Sequence, residues 1–159
     1  MLSANYTENG DMIIIAPTGG HEMTNREKKA ELLKYRSAIQ EVSRIEQDIM
    51  RWRSQAEKMT SSFHLTPSGG GNNRSIENAV EQIDALNLQL VEKRKEVNRL
   101  RIYLSGAISS VPDERLKKLL RLRYIDGITW EKIAEEMGFS YQWICKLHGK
   151  ALSKIFTDS

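Results

Sequence analysis

Residues 129–149 read TWEKIAEEMGFSYQWICKLHG, and this stretch decides the fold. It predicts two short helices joined by a tight turn, an arrangement that lets the second helix enter a DNA major groove. Thr129 and Ser140 are good N-caps for the two helices, and Gly138 can take the left-handed conformation that ends the first. Small and apolar side chains supply the predicted core of this helix-turn-helix: Ile133, Ala134, Met137, Gly138, Phe139, Ile144 and Leu147.

The start of the second helix supplies candidate contacts to double-stranded DNA. Gln142 can form two hydrogen bonds with adenine, Lys146 can bind guanine or phosphate, and Ser140 can bind phosphate. The whole candidate DNA-binding set is Ser140, Tyr141, Gln142, Trp143, Cys145, Lys146, Lys150 and Lys154. Two alternatives stay open: Tyr141 and Trp143 could pack back on the preceding helix, and the lysines could form an ordinary solvated face.

A second basic cluster precedes this motif, and it consists of Arg115, Lys117, Lys118, Arg121 and Arg123. The sequence leaves three roles open for it: binding DNA phosphates, binding a polymerase, or facing solvent.

The run from Leu119 to Ile155, LLRLRYIDGITWEKIAEEMGFSYQWICKLHGKALSKI, resembles region 4 of bacterial sigma factors. It is more similar still to the phage-encoded sigma-region-4-like regulators of the ArpU and late-transcription-regulator type. In that group a helical N-terminal part precedes a C-terminal helix-turn-helix, and a linker similar to SGGGNN separates two long helices. The resemblance spans roughly residues 23–155. At the start of the recognition helix, Tyr141, Gln142 and Trp143 depart from the Arg- and Glu-rich pattern of housekeeping sigma factors.

The resemblance implies a phage late-gene activator that binds DNA in the cytoplasm of a bacterial host cell. By analogy with sigma region 4, it also implies bacterial RNA polymerase as a possible partner.

Two long helices are predicted before this domain. Thr24 and Glu27 form a capping box, and apolar residues recur every three or four positions from there to about Met59. Residues 60–74, with Pro67 and three consecutive glycines, predict a flexible linker.

Ser75 can cap the second long helix, which is predicted to run from Ile76 to about Ile108. An antiparallel hairpin would still expose a wide apolar stripe, so a homo-oligomer is expected, with a dimer favoured. Whether the long helices pair within or between chains stays open. The residues assigned to oligomerisation are Ile39, Val42, Ile49, Trp52, Ile83, Leu90, Val97 and Leu104.

The predicted fold class is all-α, a long coiled-coil-like helical hairpin followed by a C-terminal helix-turn-helix domain. Residues 1–23 are predicted to be a disordered extension, residues 24–108 the oligomerisation hairpin and residues 112–157 the DNA-binding domain. Within the last, Pro112 suits the first turn of a helix that runs to about Ile125.

Composition narrows the function classes. The net charge of +3 is only mildly basic. Evidence for nucleic-acid binding must therefore come from local clusters of basic residues rather than from the charge of the whole chain. A single cysteine, Cys145, excludes an intramolecular disulfide and favours a reducing cytoplasm. The apolar run at residues 13–16 is too short for a membrane span, so no membrane partner is expected.

No catalytic, metal or cofactor site is expected. His21, His64 and His148 are far apart in the sequence, and Cys145 with His148 would supply only half of a metal site. The glycines at 69–71 lack the Gly-Lys-Ser/Thr that a phosphate-binding loop requires. The sequence therefore predicts a protein that is not an enzyme.

Two other functions compete with a transcription regulator. A small terminase-like DNA-packaging adaptor also combines a helix-turn-helix with a helical hairpin, although its DNA-binding module usually comes first. A pure docking module would instead use its helix-turn-helix to bind RNA polymerase without touching DNA.

Overall fold

The computed structural model describes residues 5–6, 12–13, 23–63 and 71–157. Apart from two short antiparallel strands, β1 (Asn5–Tyr6) and β2 (Met12–Ile13), the described chain is helical, which confirms the predicted class. The helices are α1 (Asn25–Phe63), α2 (Gly71–Ser109), α3 (Glu114–Leu120), α4 (Trp130–Met137) and α5 (Tyr141–Lys154). The predicted disorder of residues 1–23 falls mostly outside the described residues.

Helices α1 and α2 pack as an antiparallel hairpin within one chain. Ion pairs fix their register: Lys93 lies 2.6 Å from Glu41, and Arg94 lies 2.7 Å from Glu46. Between them, Ile49 and Leu90 are buried. The residues assigned to oligomerisation from the sequence are all buried or half-buried here. Because the hairpin already uses an apolar seam within one chain, a contact between chains needs another face.

The predicted linker is too long. Helix α1 continues to Phe63 and α2 begins at Gly71, so helix occupies both ends of the segment assigned to residues 60–74. Ser75 lies inside α2 rather than capping it, and its hydroxyl contacts Met59 Sδ at 3.3 Å. Pairing between the helices thus extends helical structure beyond the point where local sequence signals would stop it.

The turn before the C-terminal domain also differs in detail from the sequence prediction. Asp113, not Pro112, sits at the start of α3, where its carboxylate accepts a hydrogen bond of 3.0 Å from the Arg115 N–H. Helix α3 continues into a π-helical turn, Arg121–Ile125, which ends at Asp126. Gly127 follows with φ of 74°, a left-handed conformation that suits glycine.

One hydrophobic core joins the hairpin to the C-terminal domain. Leu32 from α1 and Leu104 from α2 are buried in the same cluster as Leu119, Ile133 and Ile144. The guanidinium of Arg36 in α1 lies where a side chain at residue 127 would begin. The open end of the hairpin therefore packs directly on the C-terminal helices and holds them in place.

Candidate nucleic-acid interface

The geometry of residues 129–154 is that of a helix-turn-helix. The Thr129 hydroxyl accepts a 3.5 Å hydrogen bond from the Lys132 N–H, and Gly138 ends α4 with φ of 68° and ψ of 33°. The Ser140 hydroxyl then accepts a 3.2 Å hydrogen bond from the Trp143 N–H at the start of α5. Both caps and the left-handed glycine lie where the sequence predicts them, because each depends on residues within four positions.

The inner face of the motif is apolar. Ile133 and Ala134 of α4 are buried, as are Ile144 and Leu147 of α5. Met137 and Phe139 are half-buried against the same core, whereas Gly138 is exposed in the turn. This packing fixes which side of α5 points outward.

The outward side of α5 contains every residue predicted to contact DNA. Ser140, Gln142, Cys145 and Lys146 are all exposed. Because Ser140 uses its oxygen as the helix cap, its hydroxyl hydrogen remains free to donate to a phosphate.

The two aromatic residues of this surface are each about half exposed. Tyr141 exposes 48% of its surface and Trp143 exposes 47%. The Trp143 ring lies 6.5 Å from the Phe139 ring, centroid to centroid, so Trp143 partly packs back on the turn while presenting its other side to solvent. Tyr141 has no such ring contact in the part of the chain that the structure describes.

Three lysines extend this surface along α5. Lys146, Lys150 and Lys154 are exposed and recur every fourth residue, which places them along one side of the helix. Within residues 23–63 and 71–157, none of them pairs with a carboxylate. They are thus available to neutralise phosphates along a DNA backbone.

The second basic cluster is largely occupied by contacts within the chain. Lys117 lies 2.6 Å from Glu114, Lys118 lies 3.3 Å from Glu136, and Arg115 lies 3.6 Å from Asp113. Arg121 is exposed. Compared with the α5 lysines, most of this cluster would have to give up an existing ion pair to bind phosphate.

On the buried side of α5 lies an aromatic cluster that was not predicted from the sequence. The Tyr124 hydroxyl lies 2.8 Å from His148 Nε2, and the Trp130 ring meets the His148 ring edge-on at 4.8 Å. The Arg123 guanidinium sits 4.5 Å above the Trp130 ring and donates to the Ile128 carbonyl at 2.9 Å. The cluster ties α5 to the π-helical turn and to the start of α4.

Burial controls the charge of this cluster. It raises the pKa of Tyr124 to about 12, so the phenol keeps its proton and can donate to His148. Burial, assisted by the positive charges of Lys29 and Arg123, lowers the pKa of His148 to about 4. His148 is therefore neutral at pH 7 and serves the packing of α5 rather than phosphate binding.

Cys145 and His148 lie in different surroundings. Cys145 is exposed, whereas His148 turns toward Tyr124. Among the described residues, no three His, Cys, Asp or Glu side chains are grouped so that they could hold a metal ion. Nor does any helix there combine the length and apolar character needed to cross a membrane.

Comparison with known families matches residues 113–156 to the model described as Sigma-70, region 4. The match begins at the cap of α3 and ends just after α5, so it covers the helix-turn-helix and the helix before it. The C-terminal segment is thus similar to sigma-70 region 4, a domain of the helix-turn-helix type. A search of curated proteins found no match, and neither did a search of solved structures.

Proposed function

We propose that this chain is a sequence-specific DNA-binding regulator of transcription, and not an enzyme. The outward face of α5 is the observation that supports this most directly. Gln142 and Lys146 are exposed at the position where a recognition helix meets base edges, while Ile144 and Leu147 anchor the opposite side. The region 4 match supports the same assignment.

The finer features of the proposal rest on resemblance to phage regulators of the ArpU and late-transcription-regulator type. On that basis the protein activates late genes of a bacteriophage in the cytoplasm of its bacterial host. It acts as a dimer or higher oligomer, because one mildly basic helix-turn-helix binds DNA weakly alone. RNA polymerase is the proposed second partner, as it is for sigma region 4.

A mobility-shift experiment tests sequence-specific binding. DNA fragments that tile the chain's own genomic neighbourhood are titrated with the full chain at two salt concentrations, with competitor DNA present. The proposal expects a discrete shift of one fragment that survives competitor. Equal binding to all fragments, lost steeply as salt rises, would contradict sequence-specific recognition and favour DNA packaging.

Two substitutions assign roles on α5. Gln142→Ala should weaken operator binding by about 1–3 kcal/mol and relax specificity at one base pair. Lys146→Ala should weaken binding to all sequences and reduce the salt dependence by roughly one phosphate contact, if it binds phosphate. Arg53→Ala is the matched control, because it removes an exposed positive charge from α1. Unchanged operator binding by both α5 variants would refute the assigned interface.

A further inference from the structure

Helix α2 exposes an apolar face that the hairpin does not use. The exposed fractions are 50% for Val80, 73% for Leu88, 52% for Val91 and 65% for Ile102. Helical periodicity places these four side chains along one side of α2, well away from the buried side that holds Ala79, Leu90 and Leu104. Exposed apolar residues aligned on one helix face, here interrupted by Asp84, Lys95 and Asn98, favour an interaction surface.

Three of the four stripe residues, Leu88, Val91 and Ile102, have the spacing of a coiled-coil seam. Positions 84, 88, 91, 95, 98 and 102 alternate steps of four and three residues, and they hold Asp84, Leu88, Val91, Lys95, Asn98 and Ile102. Such spacing keeps a set of side chains facing one partner helix along its length. The partner expected for this stripe is therefore another long helix.

The charges of α2 favour a second α2 that runs in the opposite direction. Between Ile76 and Leu90 the helix has three acids and no basic residue, namely Glu77, Glu81 and Asp84. Between Glu92 and Arg101 it has five basic residues and two acids, a net charge of +3. Three of the basic residues, Lys93, Arg94 and Lys95, also pair with carboxylates of the same chain. Antiparallel self-pairing places each acidic half against a basic half, whereas parallel pairing would place like charges together.

One antiparallel register matches the central positions of the seam, and it sets Ile102 opposite Glu77 of the partner subunit and Val80 opposite Arg99 of the partner subunit. If Leu88 packs against Val91 of the partner subunit, the same register places Asp84 opposite Lys95 of the partner subunit. Shifting the helices by one heptad in either direction instead puts Leu88 against a polar residue, Asn98 or Asp84. We infer that the Val80–Ile102 face of α2 is the dimer interface of this chain, in an antiparallel arrangement with its two-fold axis between residues 89 and 90.

This inference deepens the proposed function, which requires a dimer, by naming the face that forms it. At about 1.5 Å per residue, the stripe from Val80 to Ile102 is about 33 Å long. Only two apolar residues per subunit, Leu88 and Val91, face each other in this register, which makes a small interface. We therefore expect a dimer that dissociates on dilution rather than an obligate one.

Sedimentation equilibrium of the full chain without DNA tests the interface. The wild-type chain should show a monomer–dimer equilibrium, and Leu88→Glu should raise the dissociation constant at least about tenfold. Met50→Glu is the matched control, since Met50 is 68% exposed on α1, and it should leave dimerisation unchanged. Circular dichroism checks that both variants keep their helix content. A wild-type chain that stays monomeric, or equal effects of the two substitutions, would overturn the inference.

A charge exchange tests the register. Asp84→Lys and Lys95→Asp should each weaken the dimer, because each places like charges opposite one another. The double variant should restore association, since it reverses both charges of the pair. If the double variant associates as weakly as the single variants, the proposed register is overturned. Dimers that form but bind no operator would refute the proposed function and leave the interface standing.

Discussion

Protonation of His148 is expected to destabilise the folded chain as the pH falls from 7 toward 4. The pKa of this imidazole is lowered from 6.5 to about 4 by burial and by the charges of Lys29 and Arg123. Above pH 6.5 neither the folded nor the unfolded chain binds this proton, so stability is fully present there. Between the two pKa values only the unfolded chain binds the proton, and folding is progressively disfavoured.

The size of the effect follows from the two pKa values. Each pKa unit corresponds to about 1.4 kcal/mol, so the free energy of unfolding should fall by about 3 kcal/mol by about pH 4. About half of that loss should be present near pH 5.5. Below about pH 4 both states bind the proton, and this contribution levels off.

Urea unfolding, followed by circular dichroism at several pH values, measures the effect on stability. The His148→Gln variant is the control, because other groups titrate identically in both chains and the difference isolates His148. Nuclear magnetic resonance of the imidazole protons gives the folded-state pKa directly. A His148 that titrates near 6.5, or a variant with the same pH dependence as the wild-type chain, would refute the reasoning.

Three substitutions test the local physics of the fold by urea unfolding. Gly138→Ala should cost about 1–2 kcal/mol because φ is 68° there, although the site has open space for a methyl group. Gly106→Ala, in the last turn of α2 with equally open space, should instead stabilise by about 0.5 kcal/mol; a shared sign would contradict the role of the left-handed turn. Ile144→Ala should cost about 2–5 kcal/mol, since Ile144 is fully buried between the helices, and a loss under 1 kcal/mol would mean that this core does not hold α5.

Features that depend on neighbouring residues were predictable from the sequence. The capping box is one example: the Thr24 N–H donates to Glu27 Oε2 at 2.7 Å, and the Glu27 N–H donates back to the Thr24 hydroxyl at 3.3 Å. Ser140 and Gly138 are others, because a cap or a left-handed turn is decided within four residues. The order of the helices follows from these helix boundaries together with the apolar periodicity.

Features that depend on distant residues were not predictable. Ser75 has the chemistry of a cap, yet it lies inside α2, where its hydroxyl contacts Met59 of α1. The contact between Tyr124 and His148 joins residues that share no local motif. Likewise, Lys118 looks available in the sequence but lies 3.3 Å from Glu136 of another helix.

The long helices show the same limit at a larger scale. Periodicity identified apolar positions on α1 and α2, but it could not say whether the partner was in the same chain. Once the fold buries Ile49 and Leu90 within one chain, a different set, with Leu88 and Val91, is left facing solvent. The proposed dimer face can therefore be identified only once the residues buried between α1 and α2 are known.

The proposed antiparallel dimer makes a prediction about the operator. Its axis passes between residues 89 and 90, so the end of α2 at Ser109 lies about 29 Å from the axis at 1.5 Å per residue. The two C-terminal ends of α2 are then about 58 Å apart. Each helix-turn-helix sits at such an end, because Leu104 and Ile108 share a core with Ile144. One turn of DNA, about 34–36 Å, is about 22–24 Å shorter than this separation, whereas two turns, about 68–72 Å, exceed it by only about 10–14 Å.

We therefore expect operator half-sites about two helical turns apart, rather than the single turn that compact helix-turn-helix dimers use. Footprinting on synthetic operators with one-turn and two-turn spacing measures the preference. Leu88→Glu should abolish the preference and leave only weak binding to single half-sites, because its recognition helix is intact but unpaired. A wild-type preference for one-turn spacing would contradict the antiparallel register, because that register places the two C-terminal ends of α2 about 58 Å apart.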